Sequence, residues 1–274
     1  MPSLSYQWPV ADIYPHLRSL NPDFEIIILG EIDSTNTQLL NRLHQGETTP
    51  TILVAENQTA GKGRMGKTWY ATPGHSLTFS ILVPTTPENT GWLALVCGCA
   101  LLNTLQKTLP SKQTNHLKIK WPNDIWCKPS PHTQWHKLAG ILIETATIKQ
   151  QRYAVVGIGI NINPLPNHPD HNTSQTPRAA LAQIGFLWDV PTAFANITPE
   201  IAQAVYNFKK EEIPHWKTLF HHYDLLFNQP LYTSSNIEGT GAGIDSQGYL
   251  LIKTPSGIQT IHSGEISVRP CSDI

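Results

Sequence analysis

The chain has little charge and almost no net charge. Only 14% of its 274 residues are charged, and 19 basic side chains face 20 acidic ones for a balance of −1. That excludes a surface dominated by polyanion binding, though a local basic cluster is still compatible with it. Long apolar runs are missing too. The longest, residues 92–102, falls well short of the ~20 residues a membrane-spanning helix needs. Met1-Pro2-Ser3-Leu4 opens no basic-then-apolar signal, so a cytoplasmic protein away from membranes is expected. Cysteine is scarce: Cys97, Cys99, Cys127 and Cys271 form no CxxC pair. Neither a zinc site nor a disulfide framework is expected, and Cys97 and Cys99 read as core atoms. The one excess is proline, 22 residues against a usual share of about 5%, which predicts many stiff loops.

The length suits one large domain or two unequal ones, and 40% apolar content suits a packed core. Residues 1–22, with Pro2, Pro9, Pro15 and Pro22, read as an extension holding at most a helical turn. Strands are predicted at 24–29, 51–55, 77–83, 117–121, 125–127, 139–144 and 153–162 from short apolar or β-branched runs. Asp33-Ser34-Thr35-Asn36 supplies N-cap chemistry for a helix through Leu39, Leu40 and Leu43. Further helices are predicted at 91–109, 198–210 and 216–227. From 238 to 268 short strands punctuated by glycine suggest a small β-barrel.

Residues 61–68 satisfy two phosphate-binding patterns at once. Gly61, Gly63 and Gly66 fit G-x-G-x-x-G, and Gly61, Gly66, Lys67 and Thr68 fit the P-loop. Both patterns need a helix directly afterwards, because the anion sits at its N-terminus. Here Trp69-Tyr70-Ala71-Thr72-Pro73-Gly74 follows, which cannot continue as a helix. What survives is a glycine loop carrying Lys62, Arg64 and Lys67: an anion cradle, or else an exposed hairpin with solvated charges.

Other candidates follow along the chain. Lys120-Trp121-Pro122-Asn123-Asp124 puts a carboxamide and a carboxylate at a strand end, suited to a magnesium ion or to accepting a proton, or to an Asx turn. Lys137, just before a buried strand, could stabilise anionic charge or simply sit on the strand's lip. Gly157-Ile158-Gly159-Ile160-Asn161 leaves a strand face free of side chains where a flat ligand could press, or where the sheet packs tightly. His132, His136, His168 and His171 lie in proline-rich loops without a metal-ligand spacing.

Taken in order, these segments resemble the biotin protein ligases, a family that activates biotin with ATP and attaches it to a carrier protein. The resemblance rests on Asp33-Ser34-Thr35-Asn36, Ala55-Glu56-Asn57-Gln58-Thr59-Ala60-Gly61-Lys62-Gly63-Arg64-Met65-Gly66, Lys120-Trp121-Pro122-Asn123-Asp124, Lys137-Leu138-Ala139-Gly140-Ile141-Leu142, Val156-Gly157-Ile158-Gly159-Ile160-Asn161, and the glycine-punctuated tail through Gly264-Glu265-Ile266-Ser267. It covers residues 24–270. It implies an α+β fold: a class II aminoacyl-tRNA-synthetase-like mixed sheet with packed helices, plus a small C-terminal SH3-like β-barrel. The boundaries would be 1–22 extension, 23–229 catalytic and 230–274 SH3-like.

By the same resemblance, biotin would be bound by Ser34, Thr35, Asn36, Gln58, Gly61, Arg64, Lys137, Gly140 and Gly159. ATP would meet Lys62, Arg64, Trp69, Asn123 and Asn161, with Trp69 against the adenine. Lys137, Arg64 and Asp124 would carry catalysis, and Asp124 would hold Mg2+ or take the incoming lysine's proton. A loop at 59–67 that orders over the ligands is implied, since a mixed anhydride must be kept from water. Lys62 departs from the family's usual arginine, keeping the charge but losing the bidentate fork. The proline-rich start leaves no room for a winged-helix domain, so no DNA partner is expected; the partner is a biotin carboxyl carrier protein, and the oligomeric state is left open, a homodimer included. The rival reading is a lipoate or octanoate ligase or transferase, and the discriminator is Ser34-Thr35 with Gln58. A ureido ring needs donors and acceptors, whereas an acyl chain needs an apolar tunnel.

Overall fold

The structure is a computed structural model that describes residues 5–109, 116–130, 132–166, 176–262 and 268–270. Cys271, His168, His171 and the 264–267 segment lie outside the described residues. The chain runs α1 (Val10–Leu20), β1 (Glu25–Ile32), α2 (Thr35–His44), β2 (Thr51–Gln58), β3 (Ser76–Thr85), the single turn α3 (Pro87–Thr90) and α4 (Leu93–Thr108). Then come β4 (Leu117–Lys120), β5 (Asp124–Cys127), β6 (His136–Ile148), β7 (Gln151–Asn161), α5 (Val190–Asn207) and α6 (Ile213–Tyr223). The last strands are β8 (Pro230–Thr233), β9 (Glu238–Ile244), β10 (Leu250–Thr254), β11 (Gly257–Ile261) and β12 (Val268–Pro270).

Seven strands form one mixed sheet in the order β1-β2-β3-β7-β6-β5-β4, with only the β1–β2 pair parallel. Its two faces differ chemically, and side-chain alternation along the central strands explains why. On β3, Leu77, Phe79, Ile81 and Val83 join the main core, while the intervening Ser76, Thr78 and Ser80 are buried polar residues on the other face. On β7, Val156, Ile158 and Ile160 point to the core and Gly157, Gly159 and Asn161 point away. Helices α1, α4 and α5 cover the core face with Leu17, Val96, Leu102, Phe194 and Ile201 among others. Helix α2 covers part of the second face, packing Leu39 and Leu43 on Leu53, Leu82 and Val155.

Three helices differ from the sequence expectation, the simplest being α6, which runs Ile213–Tyr223 rather than 216–227. The first 22 residues contain an 11-residue helix rather than a single turn, with Pro15 inside it. Ile13 and Leu17, one turn apart, are fully buried. Burying them gains about 1.5–3 kcal/mol each, enough to offset the ~3 kcal/mol a proline costs inside a helix. Helix α5 begins at Val190 instead of 198, because Asp189 caps it by accepting from Thr192 N at 2.8 Å. Pro199, beside the expected start, lies within it.

The remaining strands form a five-stranded antiparallel sheet, β11-β10-β9-β8-β12. Its β9–β10 turn is gripped by two tryptophans of the larger unit. Trp92 Nε1 donates to Ser246 O at 3.1 Å, and Trp121 Nε1 donates to Gly248 O at 2.9 Å. The second bond braces the cis Trp121–Pro122 turn from behind, directly before Asn123 and Asp124.

A second tie fastens the N-terminal strap to β2. Glu56, only 5% exposed, accepts from Ser5 N (2.8 Å), Tyr6 N (3.1 Å) and Trp8 Nε1 (3.1 Å). Burial alone would raise its pKa, but the hydrogen bonds from Ser5, Trp8 and Tyr6 outweigh it and hold the carboxyl below the usual glutamate range. A carboxyl depressed in the folded state contributes stability above its unfolded pKa and loses it as pH falls through the folded value. Glu56→Gln should therefore lower stability at pH 7 by about 1–3 kcal/mol. Thermal melts should show the gap between variant and parent closing below the ordinary glutamate value of 4.5, and an unchanged gap at acid pH would refute the assignment.

Candidate active site

The second face of the sheet carries a trough along β6 and β7. At one end sits a chain of buried polar side chains. Gln58 Oε1 accepts from Thr35 N at 2.8 Å and from Thr35 Oγ1 at 3.2 Å. Ser80 Oγ lies 2.6 Å from Thr35 Oγ1 and 2.5 Å from Asn36 Oδ1, and Asn36 Nδ2 donates to Glu144 Oε2 at 2.8 Å. Ser34 occupies the N-cap of α2, but its side chain makes no capping bond, contrary to the capping role read from sequence. Asp33 Oδ1 instead accepts from Ser34 N and Gln38 Nε2. Burial raises the Asp33 pKa, yet these bonds and the nearby Lys62 charge bring it below normal.

The middle of the trough is floored by glycine. A Cβ at Gly157 would collide with Asn36 Oδ1, and one at Gly159 would collide with the Trp69 ring. The strand face expected to be bare is thus covered by the chain's own Asn36 and Trp69, which touch the backbone because no side chain intervenes. Gly140, the partner of Gly159 across β6 and β7, adjoins both the Trp69 ring and the Lys137 side chain.

At the other end Lys137 Nζ lies 2.7 Å from Asp124 Oδ1, with both side chains about a quarter exposed. A regular strand would send Lys137 and Gly140 to opposite faces. The β5–β6 register shifts between Ile125 and Trp126, so that Ile125 faces Ala139 while Trp126 faces Lys137. Leu138 is the extra residue of a bulge, and it and Ala139 both enter the core. Lys137 therefore turns onto the trough side, 5.7 Å from the Trp69 ring centre. Its backbone is clamped by Lys137 N to Pro177 O (2.8 Å) and Ala179 N to Lys137 O (2.9 Å). Asn161 Nδ2 donates to Ala179 O at 2.9 Å, and a hollow of about 310 Å3 opens beyond it toward Thr176, Arg178 and Gln183.

The glycine loop folds over this trough as a hairpin, not as the start of a helix. Lys62 and Thr68 bridge antiparallel, Gly63 N donates to Lys67 O, and Trp69 N donates to Gly61 O. Arg64 Nη1 donates to Asn123 Oδ1 at 3.1 Å, and Asn123 Nδ2 donates to Ile141 O at 2.7 Å. Burial pulls the Arg64 pKa down, while Asp124 works the other way. Under the loop lies an open hollow of about 710 Å3 bounded by Gly61, Arg64, Leu142 and Glu144.

The sequence-derived residues thus gather in one trough: Thr35, Asn36 and Gln58 at one end, Gly140 and Gly159 in the middle, Arg64, Asn123, Asp124, Lys137 and Asn161 at the other. Ser80 and Glu144 were missed. The signal for Ser80 was the alternation Ser76-Leu77-Thr78-Phe79-Ser80, hydroxyls on one face and hydrocarbon on the other. Three buried polar atoms here have no hydrogen-bond partner among the described residues: Trp69 Nε1, Ser76 Oγ and Asp124 Oδ1, the last held by Lys137 through charge rather than an aligned bond. Among the described residues no group of three His, Cys, Asp or Glu could cage a metal, and Asp124 is the carboxylate at this end with unused capacity. Burial pushes the Cys97 and Cys99 thiols far up and Cys127 up to about 12, as suits inert core atoms. Among the described residues no helix is long and apolar enough to cross a membrane.

Residues 29–161 match the Biotin/lipoate A/B protein ligase family, and residues 232–269 match the Biotin protein ligase C terminal domain. The bifunctional ligase/repressor BirA of Escherichia coli is 30% identical over 249 residues, spanning 89% of this chain and 74% of that protein. A biotin–[acetyl-CoA-carboxylase] ligase of Paracoccus denitrificans is 26% identical over 245 residues, spanning 87% and 98%. In three dimensions the chain is similar to a biotin protein ligase from Aquifex aeolicus in complex with biotin and ATP. That likeness has a TM-score of 0.70 at 28% identity and covers 90% of this chain and 99% of that one. This chain is a member of the biotin protein ligase family.

Proposed function

We infer that the protein is an ATP-dependent biotin ligase that forms biotinyl-5′-AMP and joins biotin to a lysine of a biotin carboxyl carrier protein through a new C–N bond. The observation that carries this is the trough's two-ended chemistry: carboxamides and hydroxyls at one end, a cation pair beside an anion cradle at the other. A buried polar end suits a ureido ring, and it disfavours lipoate or octanoate, whose chains want an apolar tunnel. In this reading residues 23–229 are the catalytic unit, 230–274 an SH3-like unit and 1–22 an extension. The near-zero net charge favours a protein partner over DNA, and ATP use with free buried thiols suits the cytoplasm.

In the first step a biotin carboxylate oxygen attacks the α-phosphorus of ATP and pyrophosphate leaves with the electron pair of the broken P–O bond. Two anions must meet, so positive charge is needed where they approach. Lys137 would bridge carboxylate and α-phosphate, Arg64 and Lys62 would hold the phosphate side, and Asn123 would orient Arg64. Thr35, Gln58, Ser34 and Asn36 would hold the ring, with Gly61, Gly140 and Gly159 allowing close approach. Trp69 and Asn161 would meet the nucleotide. In the second step the carrier's amine attacks the acyl carbon and AMP departs, with Asp124 as the base for the amine's proton. Asp124 could also contribute one oxygen to a magnesium ion, which would neutralise phosphate charge; a single carboxylate plus phosphates is a usual magnesium set.

Pyrophosphate release on mixing the protein with biotin and ATP tests the assignment, and release with lipoate alone would overturn it. Lys137→Met should cut the rate of that release by roughly 10²–10³-fold.

The loop at 59–67 offers a second check. Trypsin cleavage at Lys62, Arg64 and Lys67, followed by mass spectrometry, should slow several-fold when biotin and ATP are both present. Equal cleavage with and without them would remove the loop from the mechanism.

A further inference from the structure

On β4 and β5 the core takes Leu117, Ile119, Ile125 and Cys127. Alternation sends Lys120, Asp124 and Trp126 to the other face, the one that carries the trough. Trp126 is 5% exposed yet has no place in that core, and Lys120 Nζ stands 4.4 Å from its ring centre. Lys120 is also the cross-strand neighbour of Asp124. Lys128 N donates to His116 O at 3.0 Å, which carries the β4–β5 ladder one step past Cys127 and puts Lys128 in line with Asp124 and Trp126. Its Nζ stands 5.2 Å from the ring centre of Trp135, the residue before β6. The result is a shelf that begins at Asp124 and runs away from the trough, with two lysines each over an indole.

The shelf is basic although the chain is not. Residues 116–137 hold four lysines and a single acid, against a balance of −1 for the whole chain. Two of the four are engaged: Lys137 pairs with Asp124, and Lys118 Nζ donates to His222 O at 2.8 Å in the field of the buried Asp224. Lys128 makes no ion pair among the described residues. A lysine laid over an indole keeps N–H donors for a further partner and has already given up part of its rotamer freedom.

We propose that the shelf of Lys120, Trp126, Lys128 and Trp135 is the docking surface for the carrier domain, where it grips carboxylates that flank the carrier's target lysine. This rests on the ligase reading above, with Asp124 as the base. A carrier lysine that reaches Asp124 brings the surface of its domain with it. A standard interface covers ~800 Å2 on each partner, a disc of roughly 16 Å radius. Lys128 lies four residues from Asp124, about 13 Å along a strand, and so falls inside that footprint. A basic carrier face would be repelled from the shelf, whereas an acidic one is drawn in and held in register.

The test compares two acceptors on the full chain with biotin and ATP. One is the unbiotinylated carrier domain of an acetyl-CoA carboxylase; the other is hydroxylamine, whose nitrogen attacks the same acyl carbon and expels AMP without docking. Lys128→Glu should raise KM for the carrier domain about tenfold with kcat within about twofold, and leave hydroxamate formation within about twofold. Lys128→Gln should raise that KM about threefold, and Trp135→Leu several-fold. Lys253→Glu makes the same charge change on an exposed residue of β10 and should leave it unchanged, which separates local contact from net charge. For the parent, kcat/KM for the carrier domain should fall between about 0.05 and 0.3 M salt, and less steeply in Lys128→Glu. An unchanged carrier KM in Lys128→Glu, or a hydroxylamine rate that falls along with it, overturns the proposal. Either result leaves the ligase reading standing so long as the parent forms biotinyl hydroxamate; none from the parent overturns the reading and the proposal together.

Discussion

The ion pair of Lys137 with Asp124 is the contact on which the geometry of the trough depends. An ammonium only a quarter exposed is stabilised by a carboxylate beside it. To reach that carboxylate Lys137 has to leave the strand on the side of Gly140, and the bulge at Leu138 makes this possible. Asp124 in turn follows directly on the turn that the Trp121 bond to Gly248 in the smaller sheet braces. A shift of β5 against β6 by one residue would break the pair and send Lys137 into the hydrocarbon core. The positions of the C-terminal turn, the bulge and the ammonium are therefore consequences of one another.

The central sheet solves a second problem by keeping its chemistry on separate faces. Hydroxyls and carboxamides can be buried only if they bond to each other, and on β3 and α2 they do so with few gaps. The polar end of the trough is thus oriented by its own bonds, which is the condition under which polar groups discriminate most strongly. Among the buried atoms left without a partner, those on Trp69, Ser76 and Asp124 lie on this same face.

Much of this was legible in the sequence because strands and motifs are local. The apolar runs of β2, β3 and β7 and the helix α4 follow from periodicity, and Pro73 rules out a helix after the glycine loop. What sequence could not carry was decided by contacts distant along the chain. Helix α1 survives its proline through Ile13 and Leu17 packing on the core, and α5 starts early through an aspartate cap. The bulge at Leu138 leaves no mark in Lys137-Leu138-Ala139-Gly140, since leucine and alanine there read as ordinary alternation gone wrong. Glu144 looked like the polar end of a strand, and its meaning depends on Asn36, 108 positions away.

The lysine at position 62 shows how a local charge acquires its role from its neighbours. Arginine would bring a planar fork able to grip a phosphate by two parallel bonds, while lysine brings a point charge on a flexible stem. Two of the loop's three cations interact within the chain: Arg64 donates to Asn123, and Lys62 lies in the field of Asp33. The Arg64 fork bonds the Asn123 carboxamide and lies in the field of Asp124, and a phosphate would add a second anion beside it. Lys62 would exchange the field of one anion for that of another, close to an even trade in a solvated loop. In the ligase reading the loop's grip on a phosphate would fall mainly on Arg64, with Lys62 tuning the local potential without fixing geometry.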